Sequence, residues 1–189
     1  SSGMGGAGAM AIYLAEENRY LVLDYMTQAP GGTYRGMIDD SYGARTIPIP
    51  GSVHGCLTAL EKYGTMTPAE VLAPVIALAR TGWEVSSRFN DTVEGAFARL
   101  SNYEYSLGLY LNNGTDYYIP GETIANPDLA DTLEMIAAEG IKGFYDSAWT
   151  EDLCTYLKDN YDAILTREDF KQYKTLEYEP ISTTYRGKT

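Results

Sequence analysis

The sequence predicts an α+β fold that is mostly helical and carries an N-terminal β-hairpin. Three observations support this class: an apolar, partly alternating stretch over residues 10–25, apolar side chains at helical spacing through most of the remainder, and a composition with 44% hydrophobic and 21% charged residues. That composition is typical of a globular domain with a core, and 189 residues suit one domain. The formal net charge of −12 argues against nucleic acid and anionic membranes as partners.

Two short strands are predicted first. Residues 10–15 are apolar without a helical period, and residues 19–25 alternate, so the polar residues 16–18 between them suit a hairpin turn. Residues 27–50 are rich in Gly, Pro, Asp and Ser, which favours an ordered loop. Because long irregular segments in compact domains are often functional, we expect residues 28–49 to form one wall of a site.

Helices are predicted from residue 52 onward, and most carry explicit start and stop signals. The first has Ser52 as N-cap and ends at Gly64, and the second begins at Pro68, bends at Pro74 and ends at Gly82. Further helices are predicted over residues 87–100, 126–140, 147–160 and 166–173. Residues 102–123 are expected to form a loop or short irregular strands, and residues 178–185 an extended strand.

The residues that could carry chemistry do not form a complete active site. Gly3, Gly5 and Gly8 match the G-x-G-x-x-G dinucleotide pattern, but the predicted strand that follows them disfavours a nucleotide site, which needs a helix there. Ser1 could be an N-terminal nucleophile, although a processed or truncated start is the simpler interpretation. The single histidine, His54, lies one turn into a predicted helix, where packing or a local hydrogen bond is the more typical role.

Metal and redox sites find little support in the sequence. Asp39 and Asp40 could bind a cation, yet adjacent carboxylates in a loop are usually only solvated. Cys56 and Cys154 are far apart and lack C-x-x-C spacing, so we predict two buried free thiols rather than a disulfide or a zinc site. No metal or cofactor is expected.

Short motifs along the chain carry a resemblance. They are residues 2–8 (SGMGGAG), 23–30 (LDYMTQAP), 50–55 (PGSVHG), 72–79 (LAPVIALA), 127–133 (PDLADTL), 144–145 (FY), 165–170 (LTREDF) with Tyr173, and 184–187 (TYRG). In this order they resemble the large subunit of the γ-glutamyltranspeptidase family, and the resemblance spans essentially the whole chain.

The resemblance implies an N-terminal-nucleophile hydrolase with a layered αββα core, made as a proenzyme that cuts itself into a large and a small subunit. It also implies that the N-terminal threonine of the small subunit attacks a γ-glutamyl amide such as glutathione. Water or an acceptor amine then resolves the acyl-enzyme. Bacterial members of the family are mostly exported, which implies an extracellular or periplasmic location.

The family's nucleophile motif, Thr-Thr-His, has no counterpart here. Thr183 and Thr184 are followed by Tyr185 and fall within the TYRG match. The chain is therefore expected to be an incomplete single-domain segment of the large subunit, residues 1–189. It would lack the leading helix and the catalytic residues, and its partner would be the small subunit from the same precursor.

One position departs from the family's motif. The resemblance implies that the arginine of "DFRETAP" binds the α-carboxylate of the γ-glutamyl group, a task that suits a bidentate guanidinium. Here Met26 stands at that position, followed by Thr27 in place of glutamate. Either Arg35 or another residue supplies the charge, or the substrate lacks that carboxylate, as for cephalosporin-acylase-like relatives. A local misalignment with Met26 in the core is a third interpretation.

Two classes of function therefore stay open. The first is an amide hydrolase or acyltransferase of which this chain supplies the scaffold and, through Met26, Thr27 and Arg35, one wall of the substrate pocket. The second is a catalytically silent extracellular module that binds a ligand with its tyrosine-rich residues 103–118. A Thr-Thr-His cleavage site downstream would support the first.

Overall fold

The computed structural model of the chain describes residues 3–37 and 43–187. In chain order the strands and helices are β1 (Gly8–Leu14), β2 (Arg19–Tyr25), α1 (Ser52–Tyr63), α2 (Pro68–Thr81), β3 (Trp83–Glu84), α3 (Ser87–Leu100), α4 (Glu104–Tyr110), β4 (Thr123–Ile124), α5 (Pro127–Tyr145), α6 (Ala148–Tyr161), α7 (Arg167–Gln172) and β5 (Leu176–Tyr178). A short 3-10 helix covers Ala44–Thr46. Ser1, Asp39 and Asp40 lie outside the described residues, so the hypotheses on them stay predictions.

The chain divides into two compact units, residues 1–68 with 138–189, and residues 69–137. The first unit contains a three-stranded antiparallel sheet in the order β1-β2-β5. Its register pairs Met10 with Leu23 and Ile12 with Leu21, which places these apolar side chains on one face. Leu21 and Leu23 are fully buried, and helix α1 packs against β1 and β2.

An aromatic cluster forms another part of the core of this unit. Phe144 contacts the rings of Tyr145, Trp149 and Phe170, with centroids 5.1, 5.1 and 6.3 Å away. Helices α6 and α7 both begin with capping boxes, in which Ser147 and Thr166 are the N-caps. The predicted starts of these two helices are therefore confirmed.

The second unit is built from α2, α3, α4 and the first part of α5, with the two-residue strands β3 and β4 paired antiparallel. Its buried residues include Ala79, Val93, Leu111, Ile124 and Ile136. None of the helices in the described parts of the chain is long and apolar enough to span a membrane.

Several local predictions need correction. Ser52 is the first helical residue of α1 rather than its cap, which is Gly51. Helix α4 lies within residues 102–123, where a loop or irregular strands were predicted. Its seven residues are too few to show a clear apolar period. Strand β5 ends at Tyr178, where an extended strand was predicted to begin. Pro180 follows two residues later, and proline cannot donate a hydrogen bond to a sheet.

Two predictions about single residues have different outcomes. The predicted helix end at Gly140 is confirmed: α5 consists of two helices joined at Gly140, whose φ of 62° and ψ of −144° are not helical, and the second helix continues to Tyr145. Cys56 is exposed rather than buried, whereas Cys154 is buried as predicted.

Candidate functional site

The residues that follow strand β2 form an exposed stretch of chain, residues 26–31, which we call the wall segment. The Asp24 carboxylate accepts a hydrogen bond from the Met26 N–H at 3.0 Å. The Met26 side chain is 57% exposed, and Thr27 beside it is half-buried. The interpretation that made Met26 a core residue is therefore wrong.

Contacts from helix α7 and the residue after it hold both ends of the wall segment. The Tyr173 hydroxyl donates a hydrogen bond to the Met26 carbonyl at 2.8 Å. The Asp169 carboxylate accepts one from the Gly31 N–H at 2.8 Å. Asp169 is itself fixed, because its other oxygen accepts from the N–H and the hydroxyl of Thr166 at 3.0 and 2.6 Å. The main chain of the wall segment is thus anchored at its first and last residues.

Tyr173 is held in place by a second buried tyrosine. The two rings stack, with centroids 5.5 Å apart and planes 22° from parallel, and both Tyr145 and Tyr173 are 3% exposed. The Tyr145 hydroxyl donates to the Pro50 carbonyl at 2.7 Å and accepts from the His54 N–H at 3.2 Å. One tyrosine therefore fixes the end of β2, and the other fixes the start of α1.

His54 supports this arrangement as a neutral side chain. Its Nδ1 lies 2.9 Å from the Thr175 hydroxyl, 3.1 Å from the Thr58 hydroxyl and 3.4 Å from the Thr175 N–H. Because a backbone N–H can only donate, Nδ1 accepts and the ring proton belongs on Nε2. Burial lowers the pKa of His54, which also favours the neutral form. The predicted role in packing and local hydrogen bonding is confirmed.

Two glycines let helix α1 approach the end of strand β2. A Cβ added to Gly51 would overlap the Tyr25 carbonyl and the Tyr173 hydroxyl. A Cβ added to Gly55 would overlap the side chain of Tyr25 near its base. The absence of side chains at these positions is therefore required by the packing behind the wall segment.

Arg35, the third candidate from the sequence, lies in a separate turn. The Met37 N–H donates to the Tyr34 carbonyl at 3.1 Å, and Gly36 has a φ of 85°, as the third position of a type II turn requires. The Arg35 side chain is exposed and makes no hydrogen bond or ion pair with the described residues. The structure thus places Met26 and Thr27 side by side, while no hydrogen bond joins Arg35 to either.

An open cleft of about 490 Å³ lies elsewhere in the same unit, where α5 ends and α6 and α7 begin. Lys142, Trp149 and Arg167 are among its lining residues. Arg167 pairs with Asp146 at 2.8 Å, and this pairing lowers the pKa of the Asp146 carboxyl. Because Arg167 and Asp146 pair with one another and no residue of the wall segment lines the cleft, we assign the cleft no part in the site.

Sequence reasoning did not identify the residues that fix the wall segment. Tyr145, Asp169 and Tyr173 are parts of the motifs that carry the resemblance, and Asp169 also belongs to a predicted helix start, but none of them was predicted to contact the wall segment. Gly51 and Gly55 are spaced by one helical turn, in a chain rich in aromatic residues. This spacing was the available signal that another element packs closely against the helix.

Alkaline pH is expected to weaken the two tyrosine hydrogen bonds. Burial raises the pKa of Tyr173 to about 12 and that of Tyr145 well above its usual value. The pKa of tyrosine in an unfolded chain is about 10. The contribution of these hydrogen bonds to the free energy of unfolding is therefore complete below about pH 10 and is lost as the pH rises towards about 12. Thermal unfolding of the full-length protein across this range measures the loss. Tyr173→Phe should reduce it, and a melting temperature that stays constant through the range would contradict the prediction.

Comparisons with known proteins show the family and the fold of the chain. The whole chain, residues 1–189, matches the protein-family model described as gamma-glutamyltranspeptidase. A glutathione hydrolase proenzyme of Pseudomonas sp. (strain A14) is 32% identical, over 97% of this chain and 33% of that protein. The acylase ACY 1 proenzyme of Pseudomonas sp. (strain V22) is 29% identical, over 98% of this chain and 36% of that protein. The crystal structure of Helicobacter pylori γ-glutamyltranspeptidase superposes with a TM-score of 0.92 at 30% identity, covering 97% of this chain and 55% of that one.

These findings define the class first: the fold is part of an N-terminal-nucleophile hydrolase fold, as predicted. Within that class, the chain belongs to the γ-glutamyltranspeptidase family. The resemblance inferred from the motifs is thus confirmed. The chain spans about a third of the length of the curated relatives it matches.

Proposed function

We propose that this chain is a segment of the large subunit of a γ-glutamyltranspeptidase-like amide hydrolase and acyltransferase, and that it supplies one wall of the substrate pocket. The observation that carries the proposal is an exposed Met26 at a family motif position, on a main chain anchored at both ends. Relatives named glutathione hydrolase proenzyme support γ-glutamyl amides such as glutathione as the substrate class.

In this proposal the chemistry is acyl transfer. A threonine hydroxyl at the N-terminus of the small subunit attacks the amide carbonyl, and the amine leaves with a proton. The resulting ester is then resolved by water or by a second amine. The nucleophile and its own amine, which serves as the base, lie outside this chain, and no cofactor is required. The part of this chain is to hold the acyl group so that its carbonyl meets the nucleophile, which Met26 and Thr27 would do by direct contact.

We also infer the partner and the location from the family. The partner is the small subunit cut from the same precursor, which the word proenzyme in the relatives' names supports. Purified full-length protein should then migrate as two chains under denaturing conditions, and a single uncut chain would contradict this. The mature protein is inferred to act outside the cell or in the periplasm.

A second candidate is an acylase whose substrate has no α-carboxylate. The specific observation in its favour is that the exposed side chain at position 26 is a thioether, which cannot pair with a carboxylate. The 29% identity to the acylase ACY 1 proenzyme supports the same candidate. Arg35, which is exposed, or another residue could supply a positive charge instead.

Two chromogenic anilides separate these candidates. The full-length protein is incubated with a γ-glutamyl anilide and with a butyryl anilide, which has the same acyl chain without the α-carboxylate and α-amino groups. Release from the γ-glutamyl anilide supports the first candidate, and release from the butyryl anilide alone supports the acylase. A processed protein that releases neither contradicts both, and leaves a ligand-binding module. Thr→Ala at the expected cleavage site is the negative control.

A further inference from the structure

We propose that Tyr173 and Asp169 are positioning residues for the substrate pocket: they hold the two ends of the wall segment, and so set where the side chain at position 26 points. This inference rests on the proposed function, because it takes the wall segment as part of the pocket. To that proposal it adds a role for helix α7, which is not proposed to contact the substrate itself.

The contacts reach only the main chain of the wall segment. Tyr173 donates to the Met26 carbonyl at 2.8 Å, and Asp169 accepts from the Gly31 N–H at 2.8 Å. Neither bond involves a side chain of the wall segment. The side chain at position 26 can therefore change while the path of the main chain, and the direction of the Cα–Cβ bond, stay the same.

The supporting groups are rigid enough for this role. Tyr173 is 3% exposed, stacks on Tyr145 and contacts the His54 ring edge-on at 5.4 Å. The Tyr173 ring cannot swing its hydroxyl oxygen away from Met26 without displacing the rings of Tyr145 and His54. Those rings are themselves held by hydrogen bonds. Side chains locked by packing are what hold a binding group in a productive geometry.

The middle of the wall segment is fixed independently. Gln28 and Ile49 pair through two main-chain hydrogen bonds of 3.1 and 2.8 Å. Loss of the Tyr173 bond should therefore loosen Met26 and Thr27 without unfolding the whole segment. This separates a positioning role from a role in global stability, and it makes the effect measurable in a folded variant.

The test is Tyr173→Phe in the full-length protein, because this change removes the hydroxyl and keeps the ring. We expect faster hydrogen exchange at the amides of Met26 and Thr27, a KM raised about tenfold for the anilide that the wild type cleaves, and a kcat within about twofold. The matched control is Tyr156→Phe on α6. Tyr156 is 51% exposed and its hydroxyl contacts Tyr161, at 3.4 Å, rather than the wall segment, so neither readout should change.

The outcomes keep this inference and the proposed function apart. Unchanged exchange and unchanged KM in a folded Tyr173→Phe protein would overturn the inference while leaving the proposed function intact. A wild-type protein that cleaves neither anilide overturns the proposed function, while hydrogen exchange still decides whether Tyr173 holds the segment. If Tyr173→Phe does not fold, Asp169→Ala frees the other end of the segment, and faster exchange at the amides of Gly31 and Gly32 is then the required result.

Discussion

Gly55→Ala is expected to destabilise the protein by about 3 kcal/mol or more, although alanine is normally the better helix former. A methyl group at this position would overlap the base of the Tyr25 side chain. Those atoms cannot move without moving the end of strand β2, because the overlap falls next to the backbone rather than at the tip of the ring. Relief would require α1 to shift away from the sheet and from the residues that precede Met26. Thermal unfolding of the full-length protein should show a fall of at least about 2 °C.

Gly95→Ala is the matched control for this prediction. Gly95 also lies inside a helix, α3, but it is exposed and a Cβ there meets nothing within 4 Å. The same substitution should therefore stabilise the protein by about 0.5–1 kcal/mol, because alanine loses less backbone entropy on folding than glycine. Equal effects of the two substitutions would contradict the close approach of α1 to Tyr25.

The parts of the fold that were predictable carry their signals locally. Helices α3 and α6 were predicted close to their observed limits because their apolar residues have a clear period, and α7 because its capping box lies within four residues. The hairpin of β1 and β2 was predictable for the same reason, since its two strands adjoin in sequence. In each case the stabilising partners are near neighbours in the chain.

The parts that failed depend on partners distant in sequence. Strand β5 is a strand because it pairs with β2, more than 150 residues earlier, and nothing in its three residues requires this. Cys56 was expected to be buried from the average behaviour of cysteine, but its exposure depends on which face of α1 packs against the sheet. Tertiary packing determines the pairing of β5 and the exposure of Cys56, and a local sequence pattern does not predict that packing.

The candidate site divides in the same way. Motif resemblance located Met26 and Thr27, because motifs record side chains in sequence order. It could not give Tyr173 a role, since its partner, the Met26 carbonyl, is 147 residues away and belongs to the main chain. A carbonyl is present at every residue, so no letter of the sequence marks the one that accepts this hydrogen bond.

The same division applies to position 26, where the resemblance implies arginine and this chain has methionine. The wall segment is held through main-chain atoms, so a change from arginine to methionine at position 26 costs none of its anchoring bonds. Met26 is also exposed, so a longer side chain would not have to enter the core. Specificity at this position should therefore be separable from stability.

Met26→Arg is accordingly expected to raise kcat/KM for the γ-glutamyl anilide by about 10- to 100-fold over the wild type. A hydrogen-bonded charge pair is worth about 1.5–3 kcal/mol, and each ~1.4 kcal/mol corresponds to a factor of ten. The guanidinium fork can bind both oxygens of the α-carboxylate. The butyryl anilide has no such carboxylate, so its kcat/KM should not rise. Initial rates with both anilides, measured on full-length variants of equal melting temperature, give the two ratios.

Two further variants separate charge from geometry at this position. Met26→Lys adds a positive charge without a planar fork, and should recover only part of the gain. Met26→Gln adds a polar side chain without charge, and should recover almost none. If Met26→Arg leaves the γ-glutamyl rate unchanged, or raises both anilide rates equally, position 26 does not face the α-carboxylate. In that case the charge must come from elsewhere, and Arg35→Met should then abolish whatever γ-glutamyl activity the wild type has. Retention of that activity in Arg35→Met would assign carboxylate binding to a residue other than Arg35.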